Sequence, residues 1–401
     1  MFRRTPRIGT IDPVTSAIST AAPAPRTLPP WGVVVLLYLV VRGIGIAVLA
    51  LFSARHDLSL SSVLSKWDGQ WMLAIAEHGY SGVPESLTDA QGLHTDETAY
   101  AFFPGYPMLV GLVSQAPGVS TFGAAITLNL VFGAVAAVGV ARLGTLCAQR
   151  ARPAGDPRRT GLVLVVLFAA TPMSVVLNLA YTEALFCALA AWALAWVLER
   201  DWLAAGGAAL LIGLVRPTGI AVIAVVMLAA FLARRDGPRA WAAIVMAPLG
   251  FLGYLGVVAA KTGSLTGWFH IQTQGWDTKM DFGVAAWRFV VDSLTASHDF
   301  AQVATALVML GVLALLAWSF ADRLPWPVLA YGTLVVASIL LSSGLMMSRA
   351  RLLLPAFVLL IPLAALLSRQ RPGVAASVLG PIVLLSAWFG AYMLTVFQYA
   401  I

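Results

Sequence analysis

The run Trp31-Gly-Val-Val-Val-Leu-Leu-Tyr-Leu-Val-Val-Arg-Gly-Ile-Gly-Ile-Ala-Val-Leu-Ala-Leu-Phe52 carries a single charge, Arg42. It is long enough to cross a bilayer as a helix, which takes about 20 residues. It lacks the alternation of a membrane barrel strand. Comparable apolar runs follow at 122–147, 161–178, 182–199, 203–215, 217–233, 241–260, 302–321, 326–343, 352–368 and 375–398. The run 105–118 is broken by prolines and reads as a half-helix dipping in from one side. With 60% hydrophobic and 11% charged residues, the chain is expected to be an all-α, polytopic integral membrane protein of about eleven transmembrane helices. Residues 31–401 form its single domain. Residues 1–30, rich in Pro, Ala, Thr and Arg, read as a disordered cytoplasmic tail.

Charge placement orients these spans. With the N-terminus inside, the inner segments hold 15 of the 25 Lys and Arg residues, the outer ones 8, and Arg42 and Arg142 lie within spans. Of the acidic residues, 12 fall outside and 6 inside. That is the positive-inside distribution, so the net charge of +7 reflects topology and not nucleic-acid binding. Two long outer loops result, about 53–121 and 261–301, and they hold all five histidines. Long loops on one face of a bundle are where function concentrates. An extracytoplasmic cap of short amphipathic helices is expected from 56–105 and 265–300. Trp268, Trp276 and Trp287 in the second loop read most simply as an aromatic belt, with stacking on a sugar or lipid as the alternative. Cys147 and Cys187 lie in separate apolar runs and read as buried side chains.

Within the first outer loop, Leu64-Ser-Lys-Trp-Asp-Gly-Gln-Trp-Met-Leu-Ala-Ile-Ala-Glu-His78 reads as one amphipathic helix. Leu64, Trp67, Trp71, Met72 and Ile75 share a face, and Asp68 falls in the middle of it. A carboxylate against apolar surface needs a cation, a hydrogen-bond network or a reacting proton. Three further clusters lie at the same end: Phe102-Phe-Pro-Gly-Tyr-Pro107; Asn178-Leu-Ala-Tyr-Thr-Glu183; and the cations Arg216, Arg349 and Arg351.

An acid beside arginines at the membrane surface suits transfer of a sugar from a lipid phosphate. Arginine holds the anionic leaving group through charge-assisted hydrogen bonds. The carboxylate takes the proton of the attacking hydroxyl. The leaving phosphate needs no acid, so one carboxylate suffices, unlike the pair in glycosidases. A single displacement inverts the anomeric centre. The histidines show no metal-ligand spacing, so no cofactor is expected. A divalent ion bridging Asp68 and the phosphate stays open.

Trp67-Asp-Gly-Gln-Trp-Met-Leu-Ala-Ile-Ala-Glu-His-Gly-Tyr80 resembles the first-loop signature of the PIG-V-like mannosyltransferases of the GT-C superfamily. Ala101-Phe-Phe-Pro-Gly-Tyr-Pro107 and Tyr181-Thr-Glu-Ala-Leu-Phe186 resemble that family's next two motifs. Leu214-Val-Arg-Pro-Thr-Gly219 and Ser348-Arg-Ala-Arg-Leu-Leu-Leu-Pro355 fit later positions more loosely. The five occur in order across residues 35–360. The resemblance implies a multi-pass transferase using polyprenyl- or dolichyl-phosphate-mannose, with the catalytic acid at Asp68. Arg349, Arg351 and Arg216 are then expected at the donor phosphate. Trp67, Tyr80, His78, Tyr106, Tyr181 and Glu183 are expected at the substrates. The expected acceptor is a glycolipid, lipoglycan or protein on the extracytoplasmic face. The richness in Ala, Gly and Arg points to a bacterial plasma membrane.

Blander readings stand beside these, beginning with Asp68 as a cap or a salt bridge to a neighbouring loop, for instance to Lys66 or Arg55. Glu183 pairs equally well with Arg216 across two spans, and His78 suits a helix end. Arg349 and Arg351 suit interfacial anchors. Arg42, near the middle of a span, needs a partner or a water-filled cavity and reads as structural. Transfer of another sugar, or a transporter or lipid flippase whose carboxylate serves as an ion site, are the alternatives in function.

Overall fold

The computed structural model describes residues 28–150, 156–397 and 399. Residues 1–27 of the expected tail lie outside them. Among the described residues, the regular structure is all helical apart from one isolated bridge, Met280 to Ser342.

The chain enters through α1 (Trp31–Arg55). Two short helices, α2 (Leu60–Leu64) and α3 (Asp68–His78), and then α4 (Gly105–Ser114), lie between it and the long α5 (Thr121–Arg150). Next come α6 (Pro157–Ala169), α7 (Glu183–Glu199), α8 (Trp202–Ile212) and α9 (Ile220–Leu232). Some boundaries have a clear local cause. Asp156 caps α6 by accepting from Arg158 N–H at 3.0 Å, with Pro157 in the first turn where no donor is lost. Arg200, in the left-handed conformation, stops α7, and Asp201 then caps α8.

α10 (Pro238–Met246) and α11 (Leu249–Thr262) form one span interrupted at Ala247 and Pro248. The helices α12 (Gly267–Trp276) and α13 (Val284–Thr295) precede α14 (Phe300–Ala321) and α15 (Trp326–Leu340). A broken span, α16 (Arg349–Leu352) and α17 (Ile361–Ser368), leads to α18 (Pro372–Thr395).

Among the described residues, five helices are long and apolar enough to cross a membrane, and six counting the bent pair 346–368. The remaining expected spans correspond to shorter helical segments, including α8, α9 and α15. Helix length alone therefore yields fewer crossings than the eleven expected.

Close packing in the bundle uses small residues. A methyl on Gly161 would sit 2.6 Å from the Ala141 carbonyl oxygen, and one on Gly144 would sit 2.9 Å from Leu164. These glycines let α5 and α6 approach where lipid supplies no hydrophobic drive. Arg142 on α5 pairs with Glu199 at the end of α7 at 2.5 Å. Interhelix turns meet at one end. Ala180 N–H donates to Leu64 O at 3.0 Å, and Gly105 N–H to Leu214 O at 2.7 Å. Gln272 donates to Ala101 O at 3.1 Å, and Ser343 N–H to Lys279 O at 2.8 Å. The two loop regions expected to form a cap are thus tied to each other and to the bundle at a single end.

Candidate active site

The helix expected over 64–78 is broken. α2 stops at Leu64 and α3 starts at Asp68. Between them, Trp67 has φ +52° and ψ −114°, and Gly69 N–H donates to Lys66 O at 3.1 Å. This is a type II′ turn with a tryptophan at the position that glycine normally takes. Trp71, Met72 and Ile75 keep the buried stripe, but Asp68 leaves it. Asp68 is the first residue of α3, where free N–H groups and the helix dipole favour a carboxylate. That placement costs less than burial in mid-face.

Asp68 is 37% exposed, and its Oδ2 accepts from Arg351 Nη1 at 2.6 Å. The turn is held from behind. Tyr181 donates its hydroxyl to Lys66 O at 3.0 Å. Lys66 Nζ reaches Leu394 O at 2.6 Å, and partial burial lowers its ammonium pKa.

Tyr181 itself is clamped. Asn129 on α5 donates to the carbonyls of Leu179 and Tyr181. Arg42 on α1 bonds Asn178, the Ala169 carbonyl at 2.9 Å and Ser174 Oγ at 2.8 Å. The charge in the first span is therefore used to fix the 3₁₀ turn Ser174–Asn178 before α7. The Arg351 guanidinium lies 5.0 Å from the centre of the Tyr181 ring, a cation–π contact. Glu183 opens α7, is 1% exposed and pairs with Arg216.

Asp68, Arg216, Arg349 and Arg351 line one cavity of about 350 Å³. The Nη atoms of Arg349 are committed to the end of α15, donating to the carbonyls of Ile339, Ser342 (2.7 Å) and Ser343 (2.6 Å). Its Nε, with Arg351 Nε, Ser348 Oγ and Thr218 Oγ1, is buried without a partner, and all four residues line the cavity. A cavity wall built from residues that carry unpartnered donors suits an anion. A second cavity, of about 340 Å³ between α14 and 350–360, has no ionisable lining residue and offers no proton chemistry.

Six residues expected at the substrates do not reach the cavity wall. Tyr106 is fully buried, with its hydroxyl 3.3 Å from Ala125 O. Tyr80 stacks on Tyr100 and donates to Phe102 O at 2.8 Å. His78 is exposed at the end of α3. Trp67 stands beside Lys66 Nζ, Tyr181 lies beneath the Asp68–Arg351 pair, and Glu183 lies behind Arg216. Each is one layer back or at the surface, because motif spacing fixes proximity along the chain and not which ring faces the void. The wall instead includes Phe102, Phe103, Thr182, Trp268, Gln272, Trp276, Thr278 and Ser342. Trp268 and Trp276 thus line the site instead of forming a belt, while Trp287 is 69% exposed. Their spacing with Gln272, every fourth residue of α12, was the readable signal.

Comparison with known proteins agrees with this architecture. The profile of glycosyltransferase family 87 matches residues 103–348. The mouse protein GPI alpha-1,6-mannosyltransferase 2 is 35% identical over 137 residues, covering 31% of this chain and 23% of that protein. The human protein of the same name is 33% identical over 135 residues, with the same coverage. The chain thus matches under a quarter of the length of these curated relatives. The fold resembles that of ArnT from Cupriavidus metallidurans bound to undecaprenyl phosphate, with a TM-score of 0.53 at 14% identity. That match covers 91% of this chain and 76% of ArnT. A helical bundle of ArnT-like fold, an acid and arginines in one cavity, and a family match over residues 103–348 lead to one conclusion: the chain belongs to glycosyltransferase family 87.

Proposed function

We propose that the chain is an inverting, PIG-V-like mannosyltransferase that moves mannose from polyprenyl-phosphate-mannose to a lipid-linked or protein acceptor. The observation that carries this reading is the Asp68–Arg351 pair, 2.6 Å apart, in a cavity that Arg216 and Arg349 also line. The acceptor hydroxyl attacks the anomeric carbon as its proton passes to Asp68. The bond from that carbon to the phosphate oxygen breaks, and the polyprenyl phosphate leaves with the electron pair. Arg351 uses one Nη on Asp68, so its other donors remain for the phosphate beside Arg216, Ser348 and Thr218. Arg349 holds the end of α15 and contributes its Nε.

Mannose is favoured by the identity to proteins named GPI alpha-1,6-mannosyltransferase 2. The distribution of Lys and Arg supports a cytoplasmic N-terminus and an extracytoplasmic site in a bacterial plasma membrane. Positive charge in this mechanism comes from arginine, and EDTA is expected to leave the rate unchanged. Purified protein given polyprenyl-phosphate-[3H]mannose should form a mannosylated product of inverted configuration and release polyprenyl phosphate. Equal use of polyprenyl-phosphate-glucose would remove mannose from the proposal. Binding of the donor without any transfer would favour a carrier role instead.

A further inference from the structure

Lys66 stands two residues before the candidate base and has no part in the chemistry above. Among the described residues, the cavity wall does not include it. Its two ends are held by different parts of the fold. The carbonyl accepts from Gly69 N–H at 3.1 Å, which closes the turn, and from the Tyr181 hydroxyl at 3.0 Å. The ammonium crosses to the last helix and donates to Leu394 O at 2.6 Å. Leu394 is the penultimate residue of α18. Beyond it, the N–H groups of Val396 and Phe397 both turn back to Tyr392 O, at 2.9 and 3.0 Å. A carbonyl in the last turn of a helix lacks an intrahelical donor and sits at the negative end of the dipole. An ammonium is a fitting cap for it.

The same helix reaches the turn by a second route. Ser386 on α18 donates to Thr171 O at 2.7 Å and meets Ser174 Oγ at 3.2 Å. Ser174 opens the 3₁₀ turn that leads to Tyr181, whose hydroxyl returns to Lys66 O. Lys66 thus closes a ring of contacts that leaves α18 at Ser386 and rejoins it at Leu394. Beside this ring lies a strained residue, Trp67, at φ +52°. A residue other than glycine keeps such a conformation only where its surroundings over-determine it. Asp68 follows at once as the first residue of α3, so its position depends on that turn. We infer that Lys66 is a positioning residue: by anchoring the Trp67 turn to the end of α18, it fixes where Asp68 stands against Arg351 and makes the last helix part of the catalytic frame. This rests on Asp68 being the base of a glycosyl transfer.

Chemical rescue of Lys66→Cys in nanodiscs tests this role. Alkylation with 2-bromoethylamine restores an ammonium at lysine's length, whereas methyl methanethiosulfonate adds a neutral group. Cys147 and Cys187 are buried, and wild type treated in the same way is the control. In Lys66→Cys, kcat should fall by about 10–10²-fold, the cost of misplacing a reacting group by about 1 Å. The donor KM and the unfolding midpoint should change little. Aminoethylation should restore most of kcat, and methylthiolation should not. A lowered midpoint with kcat retained would make Lys66 structural only, and a rise confined to the donor KM would make it a phosphate ligand; either overturns the role. Hydrogen exchange read by mass spectrometry tests the anchor without turnover. Segments 64–69 and 392–397 should exchange faster together in Lys66→Cys and recover on aminoethylation; no response in either overturns the anchor. That response in a protein showing no sugar transfer would keep the anchor and overturn the transferase proposal. Lys66→Arg, which can still donate to Leu394 O, carries the test if Lys66→Cys does not fold: it should keep kcat within a few-fold, and a folded variant without transfer overturns the role.

Discussion

Replacing Asp68 by Asn separates chemistry from architecture. Asparagine keeps an oxygen where Oδ2 accepts from Arg351 Nη1, so the hydrogen bond survives and only its ionic character is lost. A charge-assisted bond contributes about 1 kcal/mol more than a neutral one. Because Asp68 is 37% exposed, solvent screening keeps the loss at or below about 1 kcal/mol. The reaction should suffer far more. An amide cannot take the acceptor proton, and general-base assistance contributes about 10²–10⁴-fold, which is about 2.7–5.5 kcal/mol of barrier. The assay is mannose transfer from polyprenyl-phosphate-[3H]mannose by protein in nanodiscs, with the unfolding midpoint read on the same samples. A fall in kcat of that size with a nearly unchanged midpoint and donor KM is expected. A kcat within a few-fold of wild type would remove Asp68 as the base and with it the mechanism.

Other changes test the scaffold beneath the acid. Tyr181→Phe deletes the hydroxyl that holds Lys66 O; about 1 kcal/mol of stability should go, and kcat should fall while the donor KM stays put, read by transfer kinetics. Arg42→Leu leaves Asn178, Ser174 and the Ala169 carbonyl without their shared donor; the loss should be about 3 kcal/mol or more, measured by SDS-induced unfolding in mixed micelles. Trp67→Gly should be more stable than Trp67→Ala by about 1 kcal/mol, since glycine accepts the positive φ at this turn; the reverse order by thermal unfolding would contradict the turn assignment.

Much of the fold was legible because lipid demands long apolar helices, and the runs along the chain have that length. Span-sized helices such as α1, α5 and α14 correspond to runs read from hydropathy alone. The shorter ones, such as α8, also correspond to apolar runs, here 203–215, but fall short of a bilayer's thickness by helix length alone. Asp68 drew attention for a reason that the structure revises. A uniform helix from Leu64 put it in mid-stripe, but the turn at Trp67 puts it at a helix start. Sequence periodicity cannot register a turn that uses a tryptophan where glycine is usual. Arg349 was read like Arg351, yet its Nη groups cap α15, because an arginine's neighbours in sequence do not say which carbonyls lie within reach. Composition is the same for a belt and for a cavity wall, so the sequence alone does not decide between them for the α12 tryptophans.

The joint placement of Asp68 and Arg351 raises a question of supply: one guanidinium must serve a carboxylate and, in the proposed reaction, a phosphate. A guanidinium has five N–H donors. On Arg351 only Nη1 bonds Asp68, while Nε is buried without a partner. The Tyr181 ring occupies one face of the group and blocks no in-plane donor, because a cation–π contact uses the face and hydrogen bonds use the edge. The same arginine can therefore hold the acid on one edge and the leaving phosphate on another. That arrangement keeps base and leaving group on a common rigid part without bringing their negative charges into contact. Lysine, a point charge without a rigid fork, cannot divide itself this way. Arg351→Lys should accordingly weaken donor binding and slow transfer together, even though the charge is retained; unchanged donor KM and kcat in that variant would show that the fork is not what the reaction uses.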